Sequence, residues 1–279
     1  MVYSVWCIKS AQSYNFFCIY QKKSVPLPRK MINTMRKSLL FLFAVLVFCA
    51  CQRPSVQVVS VTTAALPIDA SLDAIQDTDY LAQLAPAKEA LEREMNVQIG
   101  FAPERLWVRE PECPMLNWAS DALWEAAKKV YDGRVDIAIV NMGGMRCEWP
   151  AGPITKGSVF ELMPFDNMLV ILTLKGSDII ALCESFARYG GQGVAGMRVK
   201  TVDGKLADVQ IAGKPVNPLA DYTVATSDYL SGGTDHMEAL TRYVAYWNSE
   251  LKIRDLYLEA VREQDTIRAA VDGRMTMLP

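Results

Sequence analysis

Regular patterns of apolar and polar positions run from about Asp77 to the end of the chain. They begin with apolar residues at the three- and four-residue spacing of one helix face: Leu81, Leu84, Ala87, Leu91 and Met95. This spacing predicts an amphipathic helix. Because Pro86 falls inside the run, we expect either a kink there or a helix that starts there.

Short β-rich runs and further helical stretches follow. Strands are predicted within 97–108 and at 135–141, 168–175, 222–227 and 273–278, with a hairpin in 198–211 around Asp203-Gly204. Helices are predicted at 117–131, from a Ser177 cap to Gly190, and at about 236–247 and 254–264. Without an internal repeat or a domain-splitting linker, the pattern predicts a single α+β domain with a mixed β-sheet and packed helices.

The first 51 residues have a different character, with seven basic residues and no acidic one. Arg36 and Lys37 precede the apolar run Leu39–Ala50, which is too short for a lasting membrane span and is typical of a signal peptide. Ala50-Cys51 at its end resembles a bacterial lipobox with Cys51 as the lipidated residue. The alternative is an ordinary signal peptide with an incidental cysteine.

These features predict the organisation of the chain: 1–34 as an upstream extension, 35–51 as a lipoprotein signal peptide, 52–76 as a tether and 77–279 as the folded domain. A periplasmic or outer-membrane location in the bacterial cell envelope follows, with the lipid on Cys51 as the membrane anchor. Without the seven basic residues, 22 of the 29 remain against 31 acidic ones. This balance argues against a nucleic-acid polymer as partner, because phosphate backbones need a basic surface.

Residues suited to catalysis are few. His236 is the only histidine, and we read it as a helix-start residue rather than a base, since zinc and two-metal phosphoesterase centres need several such ligands. Cys113, Cys147 and Cys183 have no metal-like spacing and are predicted to be free, buried thiols. Gly191–Gly196 matches G-x-G-x-x-G, but it follows a helix and leads into a hairpin, the reverse of a dinucleotide site.

Three segments in order resemble the C-terminal domain family of the 5′-nucleotidases. They are Asn117–Leu123 (NWASDAL), the stretch from Asp136 to Asn167 with NMGGMR, GPIT and ELMPFDN, and Val224–Asp235 (VATSDYLSGGTD). The likeness covers about 77–279. It implies that family's fold and a cleft for a nucleotide or nucleoside.

The resemblance also implies roles for individual residues. Phe165 and Tyr229 would stack on the two faces of the base, with Tyr229 standing where the family has Phe. Asn167 would read the base edge and Asp235 would accept ribose hydroxyls. Arg109 and Arg146 would face the phosphates or ribose, and Asn141 is a further substrate-binding residue in the loop of Arg146. No catalytic residue and no metal ligand is predicted in this chain.

The chain differs from the family pattern at three motif positions and in the part of the family that it covers. Met142, Thr234 and Leu116 replace glycines, and their side chains are expected to narrow the cleft or change its turn. The family's metallophosphoesterase half has no counterpart here, so we expect two divalent metals in a separately encoded partner and no hydrolysis by this chain alone. Two alternatives remain: an envelope nucleoside- or nucleotide-binding lipoprotein without enzymatic role, and a degenerate scaffold remnant.

Overall fold

The structure is a computed structural model that describes residues 37–41, 63 and 77–279. Residues 37–41 are helical. Cys51, the remainder of the signal segment, and the extension and tether predictions lie outside the described residues, apart from residue 63. Within the described part, no helix combines the length and apolar character needed to cross a membrane.

The folded part opens with helix α1, Thr78–Met95, in which the Asp77 side chain accepts a hydrogen bond from the Tyr80 N–H and caps the first turn. Pro86 lies inside this helix, so the alternative of a later start at Pro86 is wrong. None of its residues is buried. The predicted apolar face of α1 is exposed among the described residues except at Met95, which is half-buried.

A five-stranded mixed sheet forms the centre of the domain, in the order β10-β4-β9-β2-β5. The parallel pair is β2 with β9, and the other neighbours are antiparallel. This arrangement confirms the predicted α+β class with a mixed sheet. The strands are β2 (Ile137–Val140), β4 (Met168–Lys175), β5 (Gly193–Ala195), β9 (Asp221–Ser227) and β10 (Ala245–Lys252).

Two smaller sheets flank the central one. One pairs β1 (Gln98–Ala102) with β3 (Gly152–Thr155), and the other has the order β11-β6-β7-β8. The strands of the latter are β6 (Met197–Val202), β7 (Lys205–Ile211), β8 (Lys214–Pro215) and β11 (Met275–Leu278). The remaining helices are α2 (Pro114–Val130), α3 (Lys156–Leu162), α4 (Gly176–Tyr189), α5 (Asp228–Ser231) and α6 (Ile253–Gln264), with 3₁₀ turns at Met142–Gly144 and Glu238–Arg242.

The helix predicted over 236–247 is wrong. The chain forms only the 3₁₀ turn Glu238–Arg242 and then β10, which pairs with β4 at the edge of the sheet. Pairing with a neighbour distant in sequence overrides local helical preference here. His236 is not a helix-start residue either, because it lies ahead of the turn with a φ of 61°.

Two other helix boundaries differ from the prediction. Ser177 does not cap α4: Lys175 holds that position without a side-chain hydrogen bond, and the Ser177 N–H donates to the carbonyl of Pro218 at 3.0 Å. Helix α2 begins at Pro114 rather than at 117. Proline suits the first turn of a helix because its missing N–H has no intrahelical partner there.

Strand alternation divides the core between the two faces of the central sheet. Ala138, Val140 and Ile171 face one cluster with α2, α3 and α6, whereas Ile139 and Leu172 face another with α4 and the four-stranded sheet. The period of two in an extended chain produces this division. Both faces are apolar, so the sheet is covered on both sides.

Burial also determines the environment of the cysteine thiols. Cys113 and Cys183 are buried, Cys147 is half-buried, and all three are free. Desolvation raises the pKa of each thiol, and for Cys147 the nearby Glu161 carboxylate adds to this effect. Because a raised pKa lowers the thiolate fraction, these cysteines are poor nucleophiles at neutral pH.

Tyr257 on α6 provides a test of the core. Its side chain is fully buried against Trp118 at 5.3 Å between ring centroids, and its hydroxyl has no hydrogen-bond partner among the described residues. We predict that Tyr257→Phe raises the free energy of unfolding by about 1 kcal/mol, because it removes an unsatisfied buried polar group. Denaturant unfolding of both proteins measures the difference.

Tyr257→Ala is the matched contrast and is expected to cost about 3–5 kcal/mol through the cavity it leaves. A loss of stability in Tyr257→Phe would contradict the prediction and show that the hydroxyl is satisfied in solution.

Candidate functional site

One cavity of about 270 Å³ opens where three loops meet at an edge of the central sheet. The loops follow β2, precede β4 and follow β9. Since β2 and β9 run parallel and β4 runs antiparallel to β9, the carboxyl ends of β2 and β9 and the amino end of β4 lie on the same side of the sheet. The cavity is lined by Asn141, Gly143, Gly144, Arg146, Phe165, Asn167, Tyr229 and Asp235.

The loop after β2 contains a 3₁₀ turn that is closely packed at Gly144. A Cβ on Gly144 would lie 2.7 Å from the Asn141 side-chain oxygen, so a larger residue there would displace the Asn141 side chain. Arg146 is exposed, its guanidinium donates to the carbonyl of Gly143 at 3.1 Å, and it forms no ion pair with the described residues. This loop thus presents a buried amide and an uncompensated positive charge to the cavity.

The loop before β4 carries Phe165 and Asn167 and is held by the start of α6. The N–H of Ile253 donates to the carbonyl of Asn167 at 2.9 Å, and the guanidinium of Arg254 donates to the carbonyl of Phe165 at 3.3 Å. Arg254 also pairs with Asp166. Phe165 remains 40% exposed and lines the cavity.

Charges around Asp166 reinforce this attachment. The hydrogen bond from Lys252, at 2.9 Å, and then that from Arg254 hold the pKa of the Asp166 carboxyl below its ordinary value. Arg254 is itself buried and lies over the ring of Phe160 at 4.4 Å. The sequence patterns gave no indication of Asp166 or Arg254, because their contacts join positions almost ninety residues apart.

The loop after β9 places an aromatic ring and a carboxylate at the cavity. Tyr229 lies in α5 with its ring 45% exposed, and its hydroxyl donates to Asp235 at 3.1 Å. The other Asp235 oxygen accepts from the Asn141 amide. Asp235 and His236 both have positive φ, at 53° and 61°. Such consecutive strained residues persist only where surrounding contacts hold them, and they are frequent at functional sites.

Six of the seven residues singled out from the sequence therefore line one cavity. Arg109 does not: it is exposed outside the lining, with its guanidinium 5.8 Å from the ring centroid of Trp107. The cavity shows where the six lie, and their ligand-binding roles stay predictions. Gln192 was missed, although its side chain accepts from the Met142 N–H at 2.8 Å and ties the loop after α4 to the cavity loop.

The three departures from the family pattern leave the cavity open. Leu116 is fully buried in the core, and Met142 is half-buried against the same core. The Thr234 hydroxyl donates to the carbonyl of Tyr229 at 2.8 Å. None of the three side chains lines the cavity, so the expected narrowing of the cleft by these side chains is not observed.

The described residues do not fit a two-metal centre. No group of three His, Cys, Asp or Glu side chains among them is placed to hold a metal ion. His236 instead stacks on Tyr189, with ring centroids 3.8 Å apart and planes 10° apart. The cavity can offer aromatic faces, hydrogen-bonding groups and the guanidinium of Arg146 to a ligand.

Comparison with known sequences gives a family match. The model of the family described as "5'-nucleotidase, C-terminal domain" matches residues 94–242, more than half of the chain. Protein UshA of Escherichia coli is 26% identical over 179 residues, which are 62% of this chain and 32% of that protein. A 5′-nucleotidase of Vibrio cholerae is 23% identical over 215 residues, 72% of this chain and 37% of that protein.

Solved structures share the fold. A 5′-nucleotidase precursor from Thermus thermophilus superposes with a TM-score of 0.65 at 24% identity, over 72% of this chain and 43% of that one. The NAD nucleotidase of Haemophilus influenzae gives 0.57 at 19% identity, over 73% and 42%. The chain thus spans about a third of the length of these curated relatives and less than half of the solved chains.

The attachment of the Phe165 loop to Arg254 can be tested directly. We predict that Arg254→Ala accelerates amide hydrogen exchange in residues 164–168 by about tenfold. Without the contacts of Arg254, the free energy needed to open this loop locally is lower. Exchange is measured by mass spectrometry on the peptide covering these residues.

Arg242→Ala is the control, since Arg242 is an exposed arginine with a single acidic partner, Asp178. It is expected to leave exchange in 164–168 unchanged. Equal exchange in the Arg254 variant and the native protein would show that Ile253 and Lys252 suffice to hold the loop.

Proposed function

The chain belongs to the family of the 5′-nucleotidase C-terminal domain, and from this membership we propose that its cavity binds a nucleoside or nucleotide with the base between Phe165 and Tyr229. A nucleotidase-related role follows from the family. The observation that supports base stacking is that two half-exposed aromatic residues on different loops line one cavity.

The two rings suit a flat heteroaromatic ligand. Stacking on an aromatic side chain stabilises a base by about 1–3 kcal/mol and accepts any base, because every base has a π-face. The cavity volume of about 270 Å³ lies just below the usual range of small-molecule sites, which begins at about 300 Å³. A single nucleoside unit is therefore a suitable occupant.

Polar groups around the two rings would orient the bound nucleoside or nucleotide. Asn167 offers an amide to the base edge, Asp235 offers carboxylate oxygens to sugar hydroxyls, and Arg146 offers an unpaired guanidinium to phosphate or ribose. Asn141 supports this set by its hydrogen bond to Asp235. Arg109 lies outside the lining, so its proposed contact with phosphate requires a ligand that extends beyond the cavity.

Hydrolysis would need a metal centre that the described residues do not provide. We therefore propose that this domain holds the substrate for a metallophosphoesterase partner, whose two divalent metals carry out hydrolysis of 5′-nucleotides. The signal-like segment and Cys51 support placement of the chain in the bacterial cell envelope on a lipid anchor. The nucleotide and the metal-bearing partner are the proposed interaction partners.

Calorimetric titration with adenosine, AMP and ATP tests the aromatic clamp. We predict saturable binding by the native protein, and a loss of roughly tenfold or more in affinity for each of Phe165→Ala and Tyr229→Ala, because each removes one stacking face.

Tyr243→Ala is the matched control. Tyr243 is exposed to a similar extent but lies away from the cavity. Its neighbour Val244 donates a hydrogen bond to Thr173, which is five residues after the first residue of β4, Met168, where the cavity lies. Native-like affinity in both clamp variants, or no binding by the native protein, would refute the clamp.

The proposed need for a metal-bearing partner gives a separate prediction. The purified 279-residue chain is expected to show no metal-dependent release of phosphate from AMP with Mg²⁺, Mn²⁺ or Zn²⁺, because its described residues hold no metal cluster. Colorimetric phosphate release over hours measures it. Robust metal-dependent turnover that chelation abolishes would overturn the proposed need for a partner.

A further inference from the structure

The hydroxyl group of Tyr229 has a function separate from stacking. We propose that it positions the carboxylate of Asp235, the group that the family resemblance already assigns to the ribose hydroxyls, and thereby increases the preference of the cavity for a ligand with a vicinal diol over one without. Tyr229 is then both a stacking residue and a positioning residue. The inference rests on the proposed function, because it requires a nucleoside in the cavity.

The carboxylate of Asp235 is held from both sides. Its Oδ1 accepts from the Tyr229 hydroxyl at 3.1 Å, and its Oδ2 accepts from the side-chain amide of Asn141. No cation pairs with Asp235 among the described residues. A carboxylate offers about four acceptor positions, so about two remain after these bonds. Asp235 lines the cavity, where a ligand can use them.

A fixed carboxylate suits two neighbouring hydroxyl donors. The two hydroxyls of ribose are adjacent on the ring and can donate to the two oxygens of one carboxylate together. Because Asn141 and Tyr229 already fix the rotamer of Asp235, less conformational freedom is lost when the diol binds. A ligand that lacks both hydroxyls gains nothing from this arrangement.

The hydroxyl is specific to tyrosine at this position. Phenylalanine presents the same stacking face but cannot donate to Asp235. Thr234 adds a second tie within the same turn, since its hydroxyl donates to the carbonyl of Tyr229 at 2.8 Å. Two side-chain hydroxyls thus connect Tyr229 with the turn that carries Asp235, whose φ of 53° needs such support.

The test separates the hydroxyl from the ring. Calorimetric affinities of the full chain for adenosine and for 2′,3′-dideoxyadenosine are compared between the native protein and Tyr229→Phe. We expect native affinity to be higher for adenosine, and the variant to lose about fivefold for adenosine and less than about twofold for the dideoxy ligand, the size of one hydrogen bond. Tyr243→Phe, which removes an exposed hydroxyl without a hydrogen-bond partner among the described residues, is expected to change neither.

The outcomes distinguish this inference from the proposed function. Equal losses for both ligands would show that the hydroxyl only places the ring, and unchanged affinities would show that it does not position Asp235; either result overturns the inference alone. Equal native affinity for the two ligands also overturns it while leaving the clamp intact. If the native protein binds neither ligand, the proposed function and the inference fail together.

Discussion

Parallel pairing of β2 with β9 is the constraint on which the candidate site depends. The register Ile137↔Val224 and Ala138↔Ala225 brings the carboxyl ends of both strands to one edge of the sheet, and antiparallel β4 begins at the same edge. A slip by one residue would reverse the faces of a strand and would move Ile139 from the core with α4 into the core with α2 and α6, where other side chains are closely packed. The apolar cores on both faces therefore fix the register, and the register fixes which loops meet.

The walls of the cavity are held by different interactions. The loops after β2 and β9 are joined directly through Asn141 and Asp235, whereas the loop with Phe165 is attached to α6 through Arg254. The loop with Phe165 is also joined to the loop with Tyr229, because the N–H of Met168 donates to the Asp228 carboxylate at 3.1 Å. The two aromatic side chains thus stand on loops that are tied to each other where β4 begins and β9 ends.

Local patterns were sufficient to predict most strands, whereas the residues of the cavity were predicted from the resemblance to family motifs. Strand β4 was predicted with its observed bounds, and the Asp203-Gly204 turn lies where the hairpin was expected. What failed depended on contacts between distant segments. The stretch at 236–247 has helical composition but pairs with β4 instead, and neither Arg254 nor Gln192 carries any signal in its own neighbourhood that points to the cavity. The cavity residues could be predicted because family motifs mark them, and their supports could not because only the folded chain brings them together.

Asp235 illustrates how the strain of a functional turn is balanced. A left-handed conformation at a residue other than glycine costs of order 1–3 kcal/mol, and Asp235 and His236 adopt it in succession. The compensating contacts are the hydrogen bonds to Asp235 from Asn141 and Tyr229, and the stacking of His236 on Tyr189. All three partners lie on different elements, so the turn is stable only when the surrounding fold is complete. Asn141 and Tyr229 line the cavity and also hold the turn, so a change in either side chain alters the support of Asp235 as well as the lining of the cavity.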